Sequence, residues 1–204
     1  MNRFVYFLLS LSLLLALFVS VEAVPAPRHR GTYKPTKGTS HKGTSHKGTS
    51  HQGTSGKGTS ANDIKAYLHA HNKFRGYHSA HPLKWNSTLA AAAQKEVNRC
   101  IFKHSGGAFG PYGENLAAGT GNFKIEDGIR GWTNELRHYN PQNPMPSHFT
   151  QVVWKGSQQV GCAVQDCHGI FDPKYGVAKF YACEYWPQGN ILGFFPYNVV
   201  VKKP

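Results

Sequence analysis

The chain has 204 residues, 40% of them apolar, with 23 Lys and Arg against 10 Asp and Glu, a formal charge of +13. That apolar content is enough for one packed core, so a wholly disordered chain is excluded. The basic balance points away from cationic partners and towards acidic polymers or anionic surfaces.

Met1, Asn2 and Arg3 give a short positive start, and Phe4 to Val19 are almost unbroken apolar residues. Such a run is short for a bilayer span. With Val21-Glu22-Ala23 behind it, it reads as a signal peptide, residues 1–23, removed after Ala23. Pro25 and Pro27 break any helical continuation, so no transmembrane anchor is expected after cleavage and the mature chain is expected to be secreted and extracellular. Residues 24–60 then change character. Five successive pentads, the first being Thr36 to Ser40, end in Gly-Thr-Ser, and the stretch holds five lysines and two arginines with no acid. Nothing in it offsets the entropy of ordering, so it reads as a disordered basic linker. Its expected partners are acidic cell-wall polymers. Nucleic acid is not expected for a secreted chain, and the repeated Gly and Ser cannot preorganise its histidines around a metal.

Residues 61–204 have ordinary domain length. Ser60-Ala61-Asn62-Asp63 resembles a capping box, and Ile64, Tyr67, Leu68, His71 and Arg75 recur at helical spacing as far as Gly76. Asn86 or Ser87 caps a second helix running through Leu89, the Ala90 to Ala93 run, Val97 and Cys100. A third helical pattern covers Ile125, Ile129, Trp132 and Leu136. Thr150 to Trp154, Val160 to Gln165 and Val177 to Tyr185 read as strands. Helices first and strands late predict an α+β layered domain. Trp85, Trp132 and Trp154 are expected to anchor its core, His71 to pack or cap, and His69 and His78 to lie on the surface. Asn86-Ser87-Thr88 is an N-glycan acceptor.

Cys100, Cys162, Cys167 and Cys183 are an even set in a secreted chain, which argues for two disulfides with three pairings open. Zinc on Cys162 and Cys167 with His168 nearby is disfavoured by an oxidising compartment.

Several blocks occur in an order that resembles one known family. They are His71-Asn72-x-x-Arg75, Leu83-x-Trp85, His104-Ser105, Gly113-Glu114-Asn115-Leu116, Trp132-x-x-Glu135, the run His148-Phe149-Thr150-Gln151-Val152-Val153-Trp154, Gly161-Cys162, and Cys183-x-Tyr185 with Gly189-Asn190. Together they resemble the CAP family of secreted proteins (cysteine-rich secretory, antigen 5, pathogenesis-related), in particular its fungal and plant pathogenesis-related members. The likeness covers residues 61–204 and leaves the linker out. It implies a three-layer α-β-α sandwich and the pairings Cys100 with Cys167 and Cys162 with Cys183, which chain-entropy arguments value at about 4 and about 3 kcal/mol.

The same resemblance implies that His104, Glu114, Glu135 and His148 meet in a central cleft. Two imidazoles with two carboxylates suit a divalent, zinc-like metal or a bracing polar network. No Gly-x-Ser-x-Gly elbow or spare thiol accompanies them, so the chain is not read as an enzyme, and a metal-dependent hydrolase stays the alternative. Family function is most often binding of apolar lipids, sterols or fatty acids. The loop associated with sterols is here Tyr139 to Ser147, with three prolines and with Met145 in place of an aromatic. Prolines stiffen it while Met145 keeps an adaptable apolar contact. Tyr139, Met145 and Phe149 are therefore the expected lipid-binding residues, and no cofactor is required for that function. A further alternative lies in the tail from Pro187 to Tyr197, which resembles a signalling peptide released from plant relatives, although Glu184 stands where those carry Asn.

Overall fold

A computed structural model describes residues 58–201. The predicted signal peptide and linker lie outside the described residues. Ser60 Oγ accepts the Asp63 amide and starts α1, Ala61–Tyr77, with Asp63 in its first turn and Arg75 in its last, both favourable to the helix dipole. A two-residue strand β1, Lys84–Trp85, leads into α2, Ser87–Asn98. Of the two candidate caps it is Asn86 that serves, its Oδ1 accepting from Thr88 and Leu89 amides. Its Nδ2 donates to Gln159, a bond that an N-glycan there would displace.

The sheet runs β1-β3-β4-β2, with β2 Gly113–Thr120 and β3 Gln159–Cys167 each antiparallel to the central β4 Ala178–Trp186, and β1 parallel to β3. Alternation along β4 sends Tyr181, Cys183 and Tyr185 into the cluster that holds Tyr67, Ile129, Trp132 and Val152, while Phe180 and Ala182 join Ala93, Val97 and Leu116. Thus α2 covers one face of the sheet. The other face carries α1, α3 (Ile125–Thr133) and α4 (His148–Val153), giving the expected α-β-α sandwich. Helix α2 lies so close to β3 that a Cβ at Gly161 would stand 2.1 Å from the Ala90 nitrogen, and only glycine fits. The disulfides are Cys100–Cys167 and Cys162–Cys183.

Three elements differ from the sequence reading. Thr150 to Trp154 is not a strand but the body of α4, because Ser147 caps its third amide and Glu135 takes its first two. Strand β2 went unpredicted because Gly-Glu-Asn-Leu-Ala-Ala-Gly-Thr contains a single β-branched residue. The third helix closes earlier than Leu136 and continues as a 3-10 turn, Asn134–His138. His78 is buried, not on the surface: its Nδ1 meets the Val200 carbonyl at 2.7 Å and its ring packs on Phe74 and Phe149. Trp132 and Trp154 are core residues as expected, whereas Trp85 is half-buried and stacked on Tyr67.

Arg75 is fully buried and has no carboxylate partner among the described residues. Its guanidinium donates to the carbonyls of His81, Val152, Trp154 and Ser157 at 2.8 to 2.9 Å, tying the end of α1 to the end of α4 and to the approach to β3. Burial lowers its pKa to about 10, still charged at neutral pH. No helix among the described residues is long and apolar enough to cross a membrane.

Candidate functional site

The four predicted residues come together as two pairs. His104, on the loop after α2, places Nδ1 2.6 Å from Glu114 Oε1 on β2, and the Ser105 amide donates to the same oxygen at 3.0 Å. His148 is the first residue of α4. Its Nδ1 lies 2.7 Å from Glu135 Oε1, while Glu135 Oε2 accepts the His148 amide at 2.8 Å and the Phe149 amide at 3.3 Å. Glu135 therefore does two jobs, capping a helix and fixing a ring. The imidazoles stack at a centroid distance of 6.2 Å, and His148 stacks on Trp132 at the same distance.

A carboxylate against Nδ1 fixes the proton on that nitrogen in the neutral ring, leaving Nε2 as a bare acceptor. His148 Nε2 is buried and without a hydrogen-bond partner. Both carboxylates stand behind the rings as orienting groups, and among the described residues no three His, Cys, Asp or Glu side chains are placed to hold one ion. The buried polar atoms that the two pairs leave without a partner are His148 Nε2 and Glu114 Oε2.

Behind Glu114 lies a feature that spacing did not reveal. Glu184 is its direct cross-strand partner on β4, and Glu96 of α2 is buried on the same face of the sheet. Burial, with the Glu114 charge next, pushes the Glu184 carboxyl up to about 9, so at neutral pH it carries a proton beside the Glu114 carboxylate. Burial also works against ionisation of Glu114, but hydrogen bonds from His104 and Ser105 outweigh it and hold that carboxyl below its usual range. The one sequence signal was the departure from Asn at position 184.

A second chain of bonds supports His148 from below. Asn115 Nδ2 donates to the His148 carbonyl at 3.1 Å and to Tyr185 Oη at 3.3 Å, and Tyr185 Oη lies 2.8 Å from His71 Nε2. His71 donates from Nδ1 to the Tyr67 carbonyl, so it accepts from Tyr185. Burial lowers its pKa to about 4 and keeps it neutral, a packed histidine as predicted.

Above the pairs opens a cavity of about 400 Å3. Its polar floor is His104, Glu114, Glu135 and His148, and its wall is Tyr139, Met145 and Pro146 from the proline-rich loop, with Met145 half exposed. Phe149, expected to touch a lipid, is instead fully buried against Phe74 and Tyr139 and does not line the cavity. His138, which the sequence reading passed over, does.

The family model for cysteine-rich secretory proteins matches residues 68–185. The chain belongs to this CAP family. It is 37% identical over 152 residues to the fruiting body protein SC14 of Schizophyllum commune, covering 68% of this chain and 69% of that one. It is also 37% identical to pathogenesis-related protein 1B of Nicotiana tabacum, covering 67% and 82%. Among solved structures, NaASP2 with Zn2+ superposes with a TM-score of 0.54 at 20% identity, covering 69% of this chain and 87% of that one, a likeness of fold. Every CAP block quoted from the sequence sits in the sheet, in the helices that cover it or on the rim of the cleft. Both disulfides of this CAP domain suit an oxidising compartment.

Proposed function

We propose that the protein is a secreted CAP lipid carrier that buries a sterol or fatty acid in the cleft. The supporting observation is the cavity's two-sidedness: an apolar wall of Tyr139, Met145 and Pro146 over a floor whose buried His148 Nε2 lacks a partner. A sterol hydroxyl or a protonated carboxylic acid donates to that nitrogen, and the hydrocarbon lies along the wall. The volume falls in the range of small-molecule sites. Burying about 300 Å2 of ligand at about 25 cal/mol per Å2 contributes about 7 kcal/mol before association costs, which corresponds to affinities no tighter than about micromolar. The basic linker is proposed to add attraction to acidic wall polymers.

The test is saturable binding of radiolabelled cholesterol, ergosterol or palmitate to the secreted protein. Met145→Asp, at a half-exposed position, is expected to weaken it by about tenfold. Binding no greater than to a denatured control removes this reading.

A second reading, a divalent metal, is favoured by the two acceptor nitrogens. His104 and His148 would hold a zinc-like ion, each ring oriented by its carboxylate, and the ion would supply Lewis acidity to the cleft, as the hydrolase alternative needs. Glu135→Gln keeps a hydrogen bond but loses the charge behind His148, and zinc affinity measured by calorimetry is expected to fall about 10- to 100-fold. Equal affinity would dispose of the metal reading. The peptide-precursor alternative is less favoured by the packing of the tail: Phe195 is buried and edge-on to Trp154, so excision there requires undocking it.

A further inference from the structure

The tail after β4 carries Ile191, Leu192, Phe194 and Tyr197 within seven residues, exposed by 42%, 73%, 55% and 75%. Large apolar side chains this exposed and this close together mark a contact surface. They are not a frayed end. Phe195, between them, is buried against Trp154, and helix α5, Phe195–Asn198, is held by the Asn198 carbonyl and Oδ1, which accept the Lys155 and Gly156 amides. Asn198 Nδ2 closes the turn on the Phe194 carbonyl. Gly193 at the tip has φ +83°, a conformation that favours glycine, and open space around its would-be side chain, so the turn projects outward. It is a wedge on a rigid base.

The chain that forms it is without acid. Trp186 to Val201 contain no Asp or Glu. The neighbouring turn brings Lys155. At the end of α1, His78 joins the Val200 carbonyl and Tyr77 is exposed, in a stretch without an acid from Ile64 to Lys95. A projecting apolar turn with Lys155 beside it, on a chain of net charge +13, fits the headgroup region of an anionic bilayer, where apolar tips enter the acyl boundary and a nearby Lys adds to the attraction. The patch is also continuous with the cleft: Asn190, the residue before Ile191, lines the cavity and is bonded to Ser147, which also lines it, and to the buried Thr150.

We propose that Ile191–Tyr197 is a membrane-docking wedge that seats the protein on an anionic lipid surface with the cleft mouth beside the bilayer. The proposal stands on this surface alone and not on occupancy of the cleft.

The test is co-sedimentation of the full secreted protein with phosphatidylcholine vesicles made with and without phosphatidylglycerol. Binding to the anionic vesicles, weakened by salt, is expected. The double variant Leu192→Ser with Phe194→Ser is expected to lose about tenfold in vesicle affinity, and Lys155→Glu several-fold. Thermal unfolding equal to that of the parent protein shows that these exposed changes leave the fold intact. Saturable cholesterol binding in solution by the double variant, equal to that of the parent protein, separates failure of the cleft reading from failure of this one. Undiminished binding of the double variant assigns the attraction to the linker and overturns the proposal, as does equal binding to both vesicle types. Self-association that the double variant abolishes, with no vesicle binding by the parent protein, assigns the surface to a second copy and also overturns it.

Discussion

Replacing Arg75 by methionine is expected to lower the unfolding free energy by about 3–5 kcal/mol. Methionine fills a similar volume and brings no charge, so the loss reports the hydrogen bonds net of the relieved desolvation of the guanidinium. Four carbonyls, those of His81, Val152, Trp154 and Ser157, lose a charged donor at once, and the last three of these bonds are buried. Arg75→Lys keeps the charge but offers a point donor in place of the planar fork, and should recover only part of the loss. Urea unfolding of the three proteins measures this. A methionine variant within about 1 kcal/mol of the parent would mean that the carbonyls find other partners and that the clamp is not what joins α1 to α4.

The second large effect concerns pH. The Glu184 carboxyl is raised in the folded protein from an ordinary 4.5 to about 9, so its contribution to stability is fully present below 4.5 and is lost as pH rises through about 9. Glu96, raised by its own burial, acts in the same direction, and Glu114, held low, acts in the opposite one. His71, lowered from 6.5 to about 4, contributes stability that is present above 6.5 and lost as pH falls towards 4. Glu184→Gln stays neutral at every pH and still donates to Glu114. Its advantage over the parent protein is expected to be small in acid and to grow to the order of a few kcal/mol in mild alkali. Urea midpoints at acidic, neutral and alkaline pH decide the matter. Parallel profiles for the two proteins would show that Glu184 ionises normally and that no proton sits between it and Glu114.

How much of this was legible follows from what each residue needs. Helices α1 and α2 and the body of α3 were readable because one buried stripe repeats at 3.6 residues and Ser60 and Asn86 stand at the starts. Helix α4 was misread because Thr150, Val152 and Val153 favour strands in isolation, and the group that overrides them, the Glu135 carboxylate on the first amides, arrives from another element. Strand β2 was hidden by its small residues, which its crowding requires: a Cβ at Gly119 would stand 2.4 Å from the Phe123 ring. His78 looked exposed because Val200, which covers it, is far away along the chain. The site itself was not readable from spacing. His104, Glu114, Glu135 and His148 were located through the family resemblance, and their division into two rings and two supports emerged only when the sheet placed them. Glu184 could be noticed beforehand as a departure but not understood, since its meaning depends on the β2 register.

Glu135 joins the end of the α3 turn to the head of α4 by a carboxylate that the ring and two amides share. Tyr139 to Ser147 is consequently a span fastened at both of its roots, and its interior can change in length and composition while the frame beneath stays fixed. Within such an arrangement the loop behaves as an exchangeable cassette: the wall of the cavity can be redrawn from its residues, and the helix, the imidazole and the hydrophobic layer below need not be reinvented.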